Sequence, residues 1–309
     1  MKTIAFYNEK GGVGKSTYTV LYACYLYYKH GIDVAVVDLN NRLSGVRSNE
    51  IREKTINGTI DSFDLSKIWP IVEPQKDELK KLRGQNFPES IWFDEQIRTG
   101  QLKDKEVVLV DLPGAARSDS NVASMLWGQH IGLYVIPTER NIQTIRATVG
   151  VSNAINRVAK HNPLVVTFIN RVDIQLVGKK IYENVADKFK TLKIPVLPDM
   201  ISASIRMDNS KNKKIICSTL EYPNWDDNAF RGSRDLGIEN LFIDITKLLN
   251  KSQDHRNTNP VYLDFVDSLQ KEFNEKRQLH GTVFSEFEFP ASMFKDSNTK
   301  DKTDSVKPE

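Results

Sequence analysis

A glycine-rich run near the N-terminus has the composition of a loop that binds a polyphosphate. The run is Lys10-Gly11-Gly12-Val13-Gly14-Lys15-Ser16-Thr17. Glycines let consecutive backbone N–H groups curl around phosphate oxygens, and a following helix adds the positive end of its dipole. In such a loop Lys15 reaches the β- and γ-phosphates, and the Ser16 hydroxyl ligates Mg²⁺. The strict pattern G-x-x-x-x-G-K-[ST] fails because Glu9 takes the first glycine position, and a glycine-rich turn without a ligand is the plainer alternative.

Strands and helices in alternation must position this loop. Short β-branched runs recur between longer helical stretches, a pattern typical of a parallel α/β sheet. The predicted strands are Thr3–Tyr7, Asp33–Val37, Glu106–Val110, Ile131–Ile136 and Leu164–Ile169, with a weaker one at Ile194–Leu197. The predicted helices are Lys15–Lys29, Asn141–Lys160, Lys179–Leu192 and Gly237–Leu249. Because most of the strands are apolar on both faces, we expect an α/β fold with a doubly wound, mainly parallel sheet.

Three segments depart from this alternation. Residues 44–105 are polar and rich in charge, which predicts an irregular excursion from the sheet inside a domain spanning 1–250. A helical extension is expected over 251–294, where Asn259-Pro260 is a helix-start signal. The composition of 295–309 predicts a disordered tail.

Composition excludes several classes of protein. The chain has 309 residues with 43 Lys and Arg against 40 Asp and Glu, a balance that argues against a histone-like polyelectrolyte. Its two cysteines, Cys24 and Cys217, are too few for a disulfide framework or a cysteine-only zinc site. No apolar run approaches the roughly 18–20 residues of a membrane span. We therefore expect a cytoplasmic protein. The candidate helix from Pro260 has four acidic and three basic side chains and so lacks the basic face of a membrane-binding helix, and we expect no membrane partner.

The loop has the motif K-G-G-x-G-K-[ST], with Lys10 in its first position. In this the sequence resembles the ParA/MinD family of deviant Walker-A ATPases, over roughly residues 1–215. The resemblance implies a P-loop NTPase fold, ATP and Mg²⁺ as cofactors bound by residues 11–17, and a homodimer that forms on ATP. Lys10 matches the family's signature lysine, which implies that it reaches the partner subunit's phosphates. Lys10 and Lys15 are thus candidate catalytic residues.

Acidic positions at two strand ends extend the resemblance. Asp111, followed by Leu112-Pro113-Gly114, matches the Walker-B position, which implies that it holds the magnesium shell with Ser16. Asp38 matches the first acid of the family's D-x-D motif and would support Lys15 or the magnesium shell. Asn40 stands where the second acid positions the attacking water. An amide brings no negative charge and accepts no proton usefully, so we expect hydrolysis that is slow or depends on a partner. The open alternative is that Asn41 or a residue of 44–105 takes over the role of the second acid.

Asn170 follows the fifth predicted strand, where related ATPases place an asparagine that contacts adenine. Its amide offers both a donor and an acceptor to the adenine edge. The plainer alternative is a turn-forming asparagine.

Positive charge is concentrated in residues 178–214, which hold nine basic and four acidic side chains. Lysines on one surface suit contact with a phosphate backbone without sequence reading. We therefore name Lys211, Lys213 and Lys214 as candidate DNA-binding residues. The equally weighted alternative is that these basic residues belong to an ordinary solvated helix face and loop that bind no DNA.

The resemblance leads to an expected function. It is a ParA-like ATPase that dimerises on ATP, binds DNA non-specifically and acts in partitioning or transfer of a plasmid or conjugative element. A ParB-like or other stimulating protein would be its partner. The alternative is a dimerisation switch that binds ATP, hydrolyses little or none and recruits a protein.

Overall fold

The computed structural model describes residues 1–58, 67–82, 88–114, 130–158, 163–173, 181–201, 218–221 and 238–252. The strands are β1 (Lys2–Phe6), β2 (Val34–Asp38), β3 (Ile71–Val72), β4 (Val107–Asp111), β5 (Leu133–Thr138) and β6 (Leu164–Ile169). The helices are α1 (Lys15–Cys24), α2 (Leu43–Ile56), α3 (Lys76–Lys81), α4 (Pro88–Arg98), α5 (Ile142–Val158), α6 (Ile181–Thr191) and α7 (Ile238–Lys251).

The strands form one six-stranded sheet in the order β3-β2-β4-β1-β5-β6, and every pair is parallel. Alternate residues of β1 face opposite sides: Ile4 and Phe6 pack in one core cluster with α1 and α7, and Ala5 packs in another. Because both faces are covered, the strands are apolar on both sides. The expected doubly wound, parallel α/β fold is confirmed, with strand ends within two residues of the predicted ones.

Two predicted elements differ from the observed ones. The helix expected over Lys15–Lys29 is α-helical only to Cys24 and continues as a π-helix over Tyr25–Lys29. The wider turn accompanies the burial of Tyr25, whose ring packs against Tyr22 and Phe242. The weak strand expected at Ile194–Leu197 contributes a single bridge between Val196 and Thr167.

Residues 44–105 are more regular than their polarity suggested. The described part of this segment holds most of α2, all of α3 and α4, and β3, which pairs with β2 at the sheet edge. The regularity comes from a few buried anchors in a polar sequence: Trp69, Trp92 and Phe93 are all buried. The expected extension and tail beyond residue 252 lie outside the described residues.

Candidate functional site

The phosphate loop joins the carboxyl end of β1 to the first turn of α1. Gly12 and Gly14 have φ angles of +79° and +95°, a conformation that glycine adopts at little cost. A Cβ atom at Gly14 would also lie 3.0 Å from the Tyr18 ring. Gly11 and Gly12 are exposed, and Thr17 is half-buried in the first turn of α1. The loop therefore leaves its backbone open on the side where an anion would bind.

Lys15 is buried within this loop. Its Nζ donates a hydrogen bond to the Lys10 carbonyl oxygen at 3.0 Å. Burial lowers the pKa of Lys15, and the nearby charge of Arg42 acts in the same direction, whereas Asp111 opposes the shift. A cation with little water around it gains strongly from a bound phosphate, so the position suits the predicted role of Lys15.

Ser16 and Asp111 meet across the site. The Ser16 hydroxyl lies 3.0 Å and 2.8 Å from the two Asp111 carboxylate oxygens. Burial raises the pKa of Asp111 to about 6, with Ser16 opposing and the adjacent Asp38 adding to the shift. A hydroxyl and a carboxylate fit Mg²⁺, which binds proteins through few ligands and takes the others from phosphates and water. Within the described ranges, no group of three or more His, Cys, Asp or Glu side chains could hold a metal ion without such help.

Asp38 lies beside Asp111, since the two residues are register partners at the ends of β2 and β4. Its carboxylate accepts backbone N–H bonds from Asn40 at 3.0 Å, Leu43 at 2.7 Å and Ser44 at 3.3 Å. Asp38 thus shapes the turn into α2. Its predicted support of Lys15 or the magnesium shell remains a prediction.

Asn40 extends from this turn toward the Ser16–Asp111 pair. Its Nδ2 lies 3.3 Å from Ser16 Oγ and 3.4 Å from an Asp111 carboxylate oxygen. Asn40 therefore lies beside the Ser16–Asp111 pair, and its predicted place next to the attacking water remains a prediction. Beside that pair it is an amide donor to the Asp111 carboxylate, where an aspartate would be a second negative charge.

Lys10 lies on the exposed outer side of the loop. Its Nζ donates to Gln143 Oε1 on α5 at 3.0 Å, and its backbone N–H donates to Asn8 Oδ1 at 3.0 Å. The two lysines of the loop thus face different surroundings, Lys15 inward and Lys10 outward.

Asn170 is buried against the loop. Its Nδ2 donates to the Val13 carbonyl at 2.9 Å, and its Oδ1 accepts from the Tyr18 hydroxyl at 2.6 Å. The predicted contact between Asn170 and adenine remains a prediction, and the observed bonds give this side chain a second role in holding the loop.

Asn8 holds the other end of the loop, a role that the sequence analysis missed. Its Nδ2 donates to the Pro137 carbonyl at 3.0 Å and to the Thr148 hydroxyl at 3.1 Å. The signal in the sequence was an amide side chain, Asn8, directly after the first predicted strand. Asn8 therefore ties one end of the loop to β5, and Asn170, which follows β6, holds the loop at Val13.

The candidate DNA-binding residues Lys211, Lys213 and Lys214 lie outside the described residues. Among the helices that are described, none combines the length and the apolar character needed to cross a membrane.

Comparison with known proteins places the chain in a family. The family model for the CobQ/CobB/MinD/ParA nucleotide-binding domain matches residues 4–215. With more than half of the sequence matched, the chain belongs to this family of nucleotide-binding proteins. Its ParA/MinD members are ATPases, and we describe the chain as an ATPase of the ParA/MinD type.

Solved structures agree in fold. The MinD cell division protein of Aquifex aeolicus superposes with a TM-score of 0.53 at 17% identity, over 84% of this chain and 99% of that one. A Borrelia burgdorferi B31 protein described as a plasmid partition protein, bound to AMPPNP, superposes with a TM-score of 0.53 at 16% identity. The match covers 81% of this chain and 98% of that one. Apo McdA from Cyanothece superposes with a TM-score of 0.51 at 13% identity, over 81% of this chain and 99% of that one. No curated protein matches the sequence significantly.

Proposed function

We propose that this chain is a ParA-like ATPase that forms a homodimer on ATP, binds DNA non-specifically and acts in partitioning or transfer of a plasmid or conjugative element. The observation that carries the proposal is the pair of lysines on one phosphate loop, Lys15 buried and Lys10 exposed. The buried lysine serves the nucleotide of its own subunit. The exposed one would reach a nucleotide held by a second copy.

The described residues divide the work of ATP binding. The backbone from Gly11 to Thr17 binds phosphate oxygens, and Lys15 neutralises their charge in a poorly solvated place. Ser16 and Asp111 would hold Mg²⁺, which would supply positive charge against the phosphates. Asn8 and Asn170 keep the loop in its binding conformation. A second subunit's Lys10 would be retained only while the terminal phosphate is present, so hydrolysis would loosen the dimer.

The dimer test compares size-exclusion profiles with ATP, with ADP and without nucleotide. We expect a dimer only with ATP, and a monomer with ATP for Lys10→Ala. Lys103→Ala is the matched control, because Lys103 is an exposed lysine in the turn after α4. Repeating the ATP run with and without a DNA duplex tests DNA binding by the dimer. A wild-type chain that stays monomeric in all conditions would contradict the proposal.

Asn40 favours a second candidate function, an ATP-dependent dimerisation switch with little or no hydrolysis that recruits a protein partner. An amide at this place positions water by hydrogen bonds but cannot act as a base. Single-turnover hydrolysis measured alongside dimerisation separates the candidates. ATP-dependent dimers that retain their ATP, even with DNA present, indicate the switch, and ATP loss coupled to dimer release indicates the partition ATPase.

A further inference from the structure

The turn that follows β2 is held rigidly on both sides of Arg42. Asp38 accepts N–H bonds from Asn40 before Arg42 and from Leu43 and Ser44 after it. The Arg42 carbonyl accepts the Val46 N–H at 3.1 Å, which begins α2. Asn41 has a φ angle of +53°, a left-handed conformation that turns the chain at this point. The backbone therefore presents Arg42 in one fixed place.

Arg42 belongs to the turn that contacts the candidate phosphate site. Asn40, two residues earlier on the same turn, contacts Ser16 and Asp111. Arg42 is exposed, and its guanidinium makes no hydrogen bond or ion pair with any residue in the described part of the chain. Its charge is close enough to Lys15 to help lower the pKa of that lysine.

The turn offers Arg42 no free carboxylate, because residue 40 is an asparagine and Asp38 accepts three backbone N–H bonds. A polyphosphate bound at the loop would supply the anion that Arg42 lacks. Because Asp38 already takes the N–H groups at the start of α2, the helix end itself is not the anion's binding group.

We propose that Arg42 binds the terminal phosphate of ATP within its own subunit, as a third cation beside Lys15 and Mg²⁺. The inference rests on the proposed binding of ATP at this loop and adds a residue of the same subunit that distinguishes ATP from ADP without the second subunit's Lys10. The terminal phosphate is the relevant one because Arg42 shares its turn with Asn40, which contacts the metal-binding pair. Metal ions in P-loop sites bridge the β- and γ-phosphates. A planar guanidinium binds two phosphate oxygens at once.

The test measures equilibrium affinity for AMPPNP and for ADP, both with Mg²⁺, in a Lys10→Ala background. This background removes the cross-dimer lysine, so the readout does not depend on whether the chain dimerises. We expect Arg42→Ala to weaken AMPPNP binding at least about tenfold while ADP binding changes less than about threefold, as for loss of a charge-assisted contact. Arg42→Lys should retain part of the difference. Arg52→Ala, an exposed arginine further along α2, should change neither affinity.

Two outcomes would overturn the inference. One is an equal loss of affinity for both nucleotides in Arg42→Ala, and the other is no loss for either. Thermal unfolding without nucleotide checks that the variants are folded, and Arg42→Lys remains informative if Arg42→Ala is not. Failure of the dimer or DNA experiments would overturn the proposed function. The ratio of the affinities for AMPPNP and ADP could still be measured, so the two failures are distinguishable.

Discussion

At the residue scale, the chemistry of the site depends on Asn40. Its amide donates toward Asp111 and Ser16, the predicted metal-binding pair. An aspartate at the same place would repel Asp111 and would be able to orient and polarise water. On the proposed function, an asparagine at position 40 would therefore favour binding of the nucleotide over catalytic base chemistry.

Asn40→Asp should raise the unstimulated rate of ATP hydrolysis, because it introduces a carboxylate where the D-x-D motif is expected to position the attacking water. We expect an increase of at least about tenfold, which is a conservative fraction of the roughly 100-fold or more that a general base contributes. Phosphate release under saturating ATP and Mg²⁺ measures it. The matched control is Asn41→Asp, which adds the same charge one residue away on an exposed side chain. An unchanged rate in Asn40→Asp would contradict the role given to this position.

Asp111→Asn should stabilise the protein at neutral pH when nucleotide and metal are absent. Burial raises the pKa of Asp111 from 3.8 to about 6 in the folded state. The protonated carboxyl is therefore favoured by folding, and that contribution is complete below the unfolded pKa and lost as the pH rises through about 6. At pH 7.5 the variant should gain roughly 1–3 kcal/mol of unfolding free energy, from a shift of about two units.

Urea unfolding in EDTA at pH 7.5 and pH 4.5 measures this difference. The gain should shrink at the lower pH, where wild-type Asp111 binds a proton. A gain that is equal at both pH values would show that the carboxylate's ionisation is not the cause. Added Mg²⁺ and ATP should reverse the order of stability, since the variant lacks the metal-binding carboxylate.

At the element scale, α2 connects the nucleotide site to a distant part of the chain. Its first turn is held by Asp38, and one face of the helix binds residues 218–221. The Arg47 guanidinium stacks on Trp69 at 4.3 Å and donates to the carbonyls of Trp69 and Thr219 at 2.7 Å and 3.3 Å. Glu50 accepts from the Thr219 N–H at 2.9 Å, and Lys54 pairs with Glu221.

Arg47→Ala should destabilise the protein markedly. Burial lowers the pKa of Arg47 to about 10, so the side chain is still charged at neutral pH, and its removal leaves two carbonyls without their donor. We expect a loss of about 2–4 kcal/mol in unfolding free energy. Arg47→Met should lose less, because it keeps the packing on Trp69.

Urea unfolding measures the Arg47 series, with Arg52→Ala as the control on an exposed position of the same helix. That control should stay within about 0.5 kcal/mol of the wild type. A comparable loss in Arg52→Ala would mean that α2 is weakened by any substitution, and that its bonds to residues 218–221 are not the reason.

At the scale of the whole molecule, charge is unevenly distributed. The chain carries a formal charge of +3, yet residues 178–214 alone hold nine basic and four acidic side chains. The remainder is therefore slightly acidic, which leaves this segment as the region suited to a polyanionic partner.

The triple substitution Lys211→Glu, Lys213→Glu and Lys214→Glu should weaken non-specific DNA binding by the ATP-bound protein. Each lost phosphate contact should reduce the dependence of log K on log salt by about 1. Fluorescence anisotropy over a salt series measures both quantities. The matched control is Lys76→Glu, Lys80→Glu and Lys81→Glu in α3, an equal change in net charge on exposed lysines. Equal effects of both triples would assign the binding to net charge and not to residues 211–214.

Much of the fold and of the site could be predicted from local patterns. The parallel sheet follows from runs that are apolar on both faces, and the phosphate loop from residue types whose backbone and charge needs are local. Residues 44–105 could not be predicted in this way. Their helices depend on a few buried side chains such as Trp69, which packs in a core cluster with residues of β1, α1 and α7 that are distant in sequence.

By itself the sequence determined which chemical groups the site contains: two lysines and three glycines on one loop, an acid after each of two strands, and an amide at position 40. Only the tertiary structure decided how these groups act on one another. It directed the carboxylate of Asp38 to the α2 turn, bound Asn170 to the loop, and brought Asn40 against Ser16 and Asp111. The reason is physical: residue type sets charge and hydrogen-bonding capacity, whereas burial and distance, which set their strength, arise only when separate strands meet at one edge of the sheet.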